Sequence, residues 1–91
     1  MTKSEFIDVV ADKADLSKKE ATAAVEAVLD TIEGTLKRRG EVVFSGFGKF
    51  HTAERSAREG RNPATGATIQ IPASTVPRFS AGAALKKAVK G

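Results

Sequence analysis

Apolar residues recur at helical spacing through the first part of the chain. One such stretch extends from Phe6 to about Ala14, and a longer one from Ala21 to Leu36. Thr2 and Ser17 stand just before these stretches, each with a Glu three residues later, which is the capping-box pattern of a helix start. The pattern predicts two N-terminal helices, the second ended by Gly40.

The period changes to two in the middle of the chain. Glu41–Phe44 and Lys49–Ala53 are strand-like segments on either side of a Gly46-Phe47-Gly48 turn. This arrangement predicts a β-hairpin.

A second extended pair follows, from about Thr52 to Arg58 and from Ala67 to Ile71, with the turn formers of Gly60–Gly66 between them. The incoming strand has almost no apolar side chain to bury, unlike a strand that packs on a core. The pair is therefore predicted to project as a β-arm over about residues 53–74.

The end of the chain combines an edge strand with a helix. Pro72 and Pro77 limit the outgoing strand to an edge role, because proline has no N–H to donate to a ladder. Ser80 is the candidate cap of a final helix, Ala81–Lys90. The apolar residues of the strand that are predicted to face the core are Val76 and Phe79.

These elements predict an α+β fold in a single domain, 1–91. It consists of an N-terminal helical pair (1–40), a three-stranded antiparallel sheet with the protruding arm (41–79) and a short C-terminal helix (80–91). Without the arm the chain is short for a stable core, and the sheet segment carries an unpaired aromatic cluster. We therefore predict an intertwined dimer that buries this cluster. Its members are Phe44, Phe47, Phe50 and Phe79.

Charge is distributed unevenly along the chain. The net charge is +4, but residues 1–40 carry seven Lys or Arg against eight Asp or Glu, whereas residues 41–91 carry eight against three. A basic second half suits phosphate groups, and it also suits acidic proteins or ribosomal RNA.

The arm carries the residues that point most specifically to a function. Arg55, Arg58 and Arg61 recur every three residues, and guanidinium groups suit phosphate oxygens and narrow minor grooves. A competing interpretation pairs these arginines with Glu54 and Glu59 in a solvated charged hairpin. Pro63 favours the first interpretation, because a rigid apolar ring at an arm tip is suited to wedge between base steps, although Asn-Pro is also an ordinary turn former.

Other classes of function fit poorly. The chain has no Cys and one His, so a disulfide framework, a cysteine nucleophile and the usual zinc spacings are excluded. His51 has no Asp or Cys nearby in the sequence, and Gly46-Phe47-Gly48 precedes a strand rather than a helix, so an enzyme is not expected. The second helix is too acidic to serve as a major-groove recognition helix. A protein-interaction module remains a competing hypothesis.

The N-terminus holds no signal-peptide core, and no apolar run could span a bilayer. A cytoplasmic protein without cofactor, metal or small-molecule substrate is expected.

The chain resembles the bacterial histone-like HU and integration-host-factor family along its whole length. The resemblance is strongest in Gly46-Phe47-Gly48-Lys49-Phe50 and in Arg61-Asn62-Pro63-Ala64-Thr65-Gly66. These proteins are themselves standard examples of minor-groove architectural binding, so the resemblance implies that the chain binds double-stranded DNA in the nucleoid and bends, wraps and compacts it with little sequence specificity. A site-specific integration-host-factor-like subunit, or a heterodimer with a paralogue, is the alternative.

The resemblance also assigns roles to individual residues. In the arm, Pro63 intercalates and the other contacts line the minor groove. The arm residues are Arg55, Arg58, Arg61, Asn62, Pro63 and Thr65, and the phosphate contacts of the body are Lys3, Gly46, Gly48 and Lys86. The chain departs from the family at positions that are often basic, which predicts a weaker or shorter electrostatic footprint. These positions are Ala53, Thr75, Ser80 and Ala83.

Overall fold

Both N-terminal helices begin where their capping boxes predict. In the computed structural model, which describes residues 1–91, helix α1 is Lys3–Ala14 and helix α2 is Lys18–Lys37. The Thr2 hydroxyl accepts the Glu5 N–H at 3.2 Å, and the Glu5 carboxylate accepts the Thr2 N–H at 3.1 Å. Before α2, the Glu20 carboxylate accepts the Ser17 N–H at 2.9 Å, and the Ser17 hydroxyl accepts the Glu20 N–H at 3.1 Å. Two donors that every helix start leaves unpaired are satisfied in each case.

The prediction that Gly40 ends the second helix is wrong. The helix ends at Lys37, and Arg39 takes the left-handed conformation with φ 62°. The Arg39 N–H donates to the Leu36 carbonyl at 3.0 Å, so the last turn is closed before the glycine is reached. A non-glycine residue rarely adopts this conformation, which is why the sequence indicated Gly40 instead.

The chain divides into two compact units, Met1–Thr35 and Leu36–Gly91. In the first unit, Ile7, Ala21 and Val25 are buried, with Val10, Ala11 and Leu16 packed against them. Four other large apolar side chains of its two helices remain 38–52% exposed. They are Phe6, Val9, Val28 and Leu29.

The second unit contains the predicted three-stranded antiparallel sheet. Its strands are β1 (Val42–Phe44), β2 (Gly48–Arg55) and β5 (Ser74–Ala81), in the order β1-β2-β5. Strand β5 lies at the edge, and Pro77 is tolerated inside it, opposite Thr52. The predicted α+β class with this sheet is confirmed.

Strands β3 (Arg58–Arg61) and β4 (Thr68–Ile71) form a separate two-stranded antiparallel sheet. The predicted continuous strand from Thr52 to Arg58 is wrong, because β2 ends at Arg55 and pairing resumes only at Arg58. Pro72 lies in the corresponding gap between β4 and β5, where it has no N–H to extend the ladder. Gly60 belongs to β3 rather than to the turn, which is correspondingly shorter than predicted.

The last helix, α3, is Ala83–Lys90, two residues later than predicted at its start. Ser80 is not its cap: it lies in β5, and its hydroxyl oxygen is 2.8 Å from Nε2 of His51. The cap position is Gly82, which has no side-chain hydrogen bond to offer. Phe79, predicted to face the core, is 43% exposed. None of the three helices is both long and apolar enough to cross a membrane.

Candidate nucleic-acid interface

Asn62 builds the tip of the arm. Its N–H donates to the Ala67 carbonyl at 2.8 Å, and its carbonyl accepts the Gly66 N–H at 2.7 Å. Its side-chain Oδ1 accepts the Ala64 N–H at 2.9 Å, which bridges the backbone around Pro63. Such a side-chain turn fixes the intervening residue, so Pro63 is held exposed at the turn.

Thr65 supports the same turn. Its Oγ1 accepts the Ala67 N–H at 3.3 Å. Asn62 and Thr65, predicted as DNA contacts, therefore have a local structural role, while the Asn62 amide nitrogen keeps its two N–H donors. Their contact with DNA stays a prediction.

The register of β3 and β4 gives the arm two distinct faces. Directly opposite residues of an antiparallel pair share a face, so Arg58 lies with Ile71, whereas Arg61 lies with Thr68 on the other face. A spacing of three on a strand thus turns these two arginines to opposite sides.

An apolar ridge runs along the face that carries Arg58. A Cβ atom at Gly60 would lie 2.8 Å from Cδ1 of Ile71 and 3.5 Å from Cγ1 of Ile69. The ridge therefore packs over Gly60, and Ile69 stays 45% exposed. Both isoleucines belong to the outgoing strand, so the polar pattern of the incoming strand gave no sign of this ridge.

The carboxylates of the arm are engaged by neutral partners. Glu54 accepts a hydrogen bond from the Thr75 hydroxyl at 2.8 Å, and Glu59 accepts one from Nε2 of Gln70 at 3.5 Å. The three ion pairs of the chain join Lys3 to Glu26, Lys18 to Asp8 and Lys49 to Glu41. In this structure neither Glu54 nor Glu59 forms an ion pair with an arm arginine, in contrast to the alternative interpretation.

The arginines of the arm are available to an external anion. Arg55, Arg58 and Arg61 are all exposed, and none takes part in an ion pair. Apart from half-buried Gly60 and Ile71, every residue of β3 and β4 is exposed as well. The arm thus presents three cations that lie outside every ion pair, and an exposed proline at its tip.

The four predicted interface phenylalanines lie together at one end of the sheet. Ring centroids are 6.3 Å apart for Phe44 and Phe50, 5.7 Å for Phe47 and Phe79, and 4.8 Å for Phe50 and Phe79. Three of them remain 43–49% exposed. Edge and tilted ring contacts of this kind stabilise a cluster, but nearly half of the surface of these three is left for another partner.

Glycines shape the turn beside this cluster. Gly46 has φ +81°, and its carbonyl accepts the Leu85 N–H of α3 at 3.1 Å. Gly48 is buried, and a Cβ there would lie 2.5 Å from Cζ of Phe79. Both positions therefore require glycine for the fold itself, and the predicted contact of their backbones with phosphates stays a prediction.

The two lysines predicted as body contacts differ in their surroundings. Nζ of Lys3 is 3.4 Å from Glu26 Oε1, with both side chains more than half exposed, so this weak pair competes with any phosphate. Lys86 is exposed on α3, next to the Leu85 that binds Gly46, and forms no ion pair.

The fold and its exposed cationic arm define a class of small, basic α+β proteins suited to an anionic partner. The family model described as "Bacterial DNA-binding protein" matches residues 1–90, and the chain belongs to this family. It is 55% identical over 91 residues to DNA-binding protein HU 1 of Bacillus subtilis, covering 100% of this chain and 99% of that protein. It is 53% identical over 89 residues to DNA-binding protein HRm of Rhizobium meliloti, covering 98% and 99%.

A solved structure agrees with these relatives. The Anabaena HU–DNA cocrystal structure matches with a TM-score of 0.91 and 46% identity, covering 98% of this chain and 97% of that chain. The family resemblance seen in the sequence is confirmed.

Proposed function

We propose that this chain is a nucleoid-associated architectural protein that binds double-stranded DNA through the minor groove with little sequence specificity, and that bends, wraps and compacts it. The observation that carries the proposal is the arm: three exposed arginines outside every ion pair, ending in a proline held by its own turn. The HU names of relatives and the DNA complex of the Anabaena protein support it.

In this proposal the arginines of the arm bind the DNA, and the proline at its tip bends it. Arg58 and Arg61 point to opposite faces, so an arm inside a groove offers one cation to each wall. Pro63 enters a base step as an apolar wedge, and unstacking such a step costs about a few kcal/mol. The arginine–phosphate attractions and the larger contact with bent DNA offset that cost.

A second copy of the chain is the proposed partner on the protein side. Phe44, Phe47 and Phe79 are each more than two-fifths exposed in the second unit, and Phe6 and Leu29 are 49% exposed in the first. Exposed aromatic and aliphatic clusters of this kind are unfavourable in water and typical of obligate interfaces. We propose a homodimer in which residues 1–91 act as one DNA-binding domain per chain, with two arms related by a two-fold axis.

A site-specific integration-host-factor-like activity is not favoured, because the similar curated proteins carry HU names. In the proposed role the chain needs no catalytic residue, cofactor, metal or small-molecule substrate.

The proposed function is tested by comparing affinities for random linear, nicked and integration-host-factor-site duplexes of equal length. We expect similar affinity for the random and site-containing duplexes and tighter binding to the nicked one, because a nick lowers the bending energy. Strong preference for the site-containing duplex would contradict non-specific binding, and equal affinity for nicked and intact DNA would contradict bending.

A further inference from the structure

His51 is the only histidine of the chain, and it lies on strand β2 of the three-stranded sheet. Successive residues of a strand alternate between the two faces, so His51 faces away from Phe50 and the phenylalanine cluster. The imidazole is half-buried, and its Nε2 is 2.8 Å from the Ser80 hydroxyl oxygen. Histidine is the side chain whose charge ordinarily changes between about pH 5 and 8, so this position is a candidate for a response to pH.

The contact between His51 and Ser80 is compatible with both charge states of the ring. A serine hydroxyl can donate or accept a hydrogen bond. The Ser80 hydroxyl can donate to the bare Nε2 of a neutral imidazole, and it can accept the Nε2–H of an imidazolium. His51 can therefore take up a proton without losing this contact.

The charged groups around His51 come from all three strands of the sheet. Arg78 of β5 is directly opposite His51, and Lys49 lies two residues away on the same face of β2. Glu41 immediately precedes β1, at the end of that strand where His51 lies, and its Oε2 is 3.7 Å from Nζ of Lys49. The ring thus has two cations and one acid as neighbours, and the acid is already shared with one of the cations.

A duplex held by the arm brings negative charge to this group. Arg55, the first arginine of the proposed arm site, lies on the same face as His51, four residues further along β2. Four steps of a strand span about 13 Å at a rise of ~3.3 Å per residue, and a duplex carries about one negative charge per ~1.7 Å of its axis. The phosphates oppose the cations around His51 and favour the imidazolium over the neutral ring.

We propose that DNA binding by this chain is linked to protonation of His51, so that the ring takes up a proton when a duplex binds. The inference rests on the proposed DNA-binding function and adds its regulation by pH. Linkage is reciprocal: if DNA favours the imidazolium, the imidazolium favours DNA by the same factor. The affinity is therefore greatest at a pH where His51 is charged, and it falls as the pH rises and the ring loses its proton.

The test is the affinity of the full-length protein for one random duplex at constant salt concentration, measured between about pH 5.5 and 7.5. We expect the wild type to bind about fivefold more tightly at the lower pH, which is the low end of the coupling usually found between two sites. His51→Gln keeps a hydrogen-bonding side chain beside Ser80 but cannot become charged. Its affinity should not change with pH and should be close to that of the wild type at the higher pH.

His51→Lys is the complementary variant, because it keeps a positive charge throughout this pH range. It should bind DNA at the higher pH about as tightly as the wild type binds at the lower pH. Its affinity should also be independent of pH. An effect of charge is thereby separated from an effect of changing the side chain, since the two variants are expected to differ in opposite directions from the wild type.

Calorimetric titrations in buffers of different ionisation enthalpy count the protons taken up on binding. At about pH 6.5, where a histidine is partly charged, the wild type should take up a fraction of a proton per chain, and His51→Gln should take up none.

The outcomes distinguish this inference from the proposed function. Salt-dependent binding by the wild type without a change of affinity with pH, or a pH dependence that His51→Gln retains, overturns the linkage and leaves DNA binding by the arm intact. Absence of salt-dependent binding at every pH overturns DNA binding by the chain itself, and this inference with it.

Discussion

In the proposed function, bending depends on Pro63, and the side chain of Asn62 fixes the turn that carries Pro63. Pro63→Ala should leave the fold and most of the affinity intact, because the arginines are untouched, while bending is reduced. Ligase-catalysed circularisation of DNA shorter than the persistence length of about 150 base pairs measures the loss. Circularisation equal to that of the wild type would refute the wedge.

Asn62 offers a second test at the same tip. Asn62→Ala removes the 2.9 Å acceptor for the Ala64 N–H, so the turn loosens and circularisation should fall as it does for Pro63→Ala. Thr68→Ala, on the outgoing strand of the same arm, is the matched control and should circularise DNA normally. Normal circularisation by Asn62→Ala would show that the turn needs no side-chain bond.

Position 48 requires glycine because neighbouring atoms leave no room there for a Cβ atom. Gly48→Ala places a Cβ 2.5 Å from the ring of Phe79 and 2.7 Å from the Ser80 carbonyl oxygen, and should destabilise the protein by about 1–3 kcal/mol, the usual cost of overpacking. Chemical denaturation measures the free energy of unfolding. Adding Phe79→Leu should lower the part of the cost that comes from the ring, while the contact with the Ser80 carbonyl oxygen remains; strictly additive effects would argue against the ring contact.

Features of the helices and strands that depend on residues close together in the sequence could be predicted, whereas features that depend on pairing between distant segments could not. Both helix starts depend on residues three apart, and both were located correctly. The break in the arm lies where Pro72 interrupts the returning strand, opposite the gap after Arg55, and Ser80 belongs to a strand that pairs with a segment about 30 residues earlier. The pattern of apolar and polar residues along the chain does not say which distant segments pair with each other.

The capping box of α2 also predicts an effect of pH. The backbone N–H of Ser17, and then its side chain, hydrogen-bond the Glu20 carboxylate and lower its pKa. Because folding lowers this pKa, the carboxylate stabilises the fold above its usual pKa, and the contribution is lost as the pH falls through the folded-state value.

Ser17→Ala removes only the smaller of the two causes. The pKa of Glu20 should rise but stay below its usual value, because the backbone N–H remains. Loss of the cap should also cost about 1 kcal/mol of stability. An NMR titration of the Glu20 carboxyl measures the first effect, and an unchanged pKa would contradict it.

For the molecule as a whole, the sequence indicated a dimer through its unpaired phenylalanines and a chain too short for a large core. The exposed apolar side chains of both units agree with that prediction. If dimerisation is coupled to folding, the thermal midpoint should rise with protein concentration. Pro63→Ala should show the same concentration dependence, whereas a midpoint independent of concentration would contradict an obligate dimer.

The charge on the sheet could be predicted from the sequence only in part. The absence of a basic residue at Ser80 suggested a weaker footprint, but Arg78 lies on the same strand face two residues earlier, and this follows only from the register. The arm arginines, in contrast, were predicted from their spacing on a polar hairpin and from the family resemblance, and their contact with DNA stays a prediction. Only the structure shows that Glu54 and Glu59 hydrogen-bond to neutral partners and form no ion pair with these arginines.

The arm is proposed to hold DNA through its arginines, and salt dependence tests this directly. The measurement is the slope of log affinity against log salt for the wild type and for the triple variant Arg55→Gln, Arg58→Gln, Arg61→Gln. We expect a linear, steep wild-type slope that becomes shallower by about 0.9 for each phosphate interaction that the substitutions remove. A flat wild-type response, or an equal slope for the triple variant, would contradict DNA binding by these arginines.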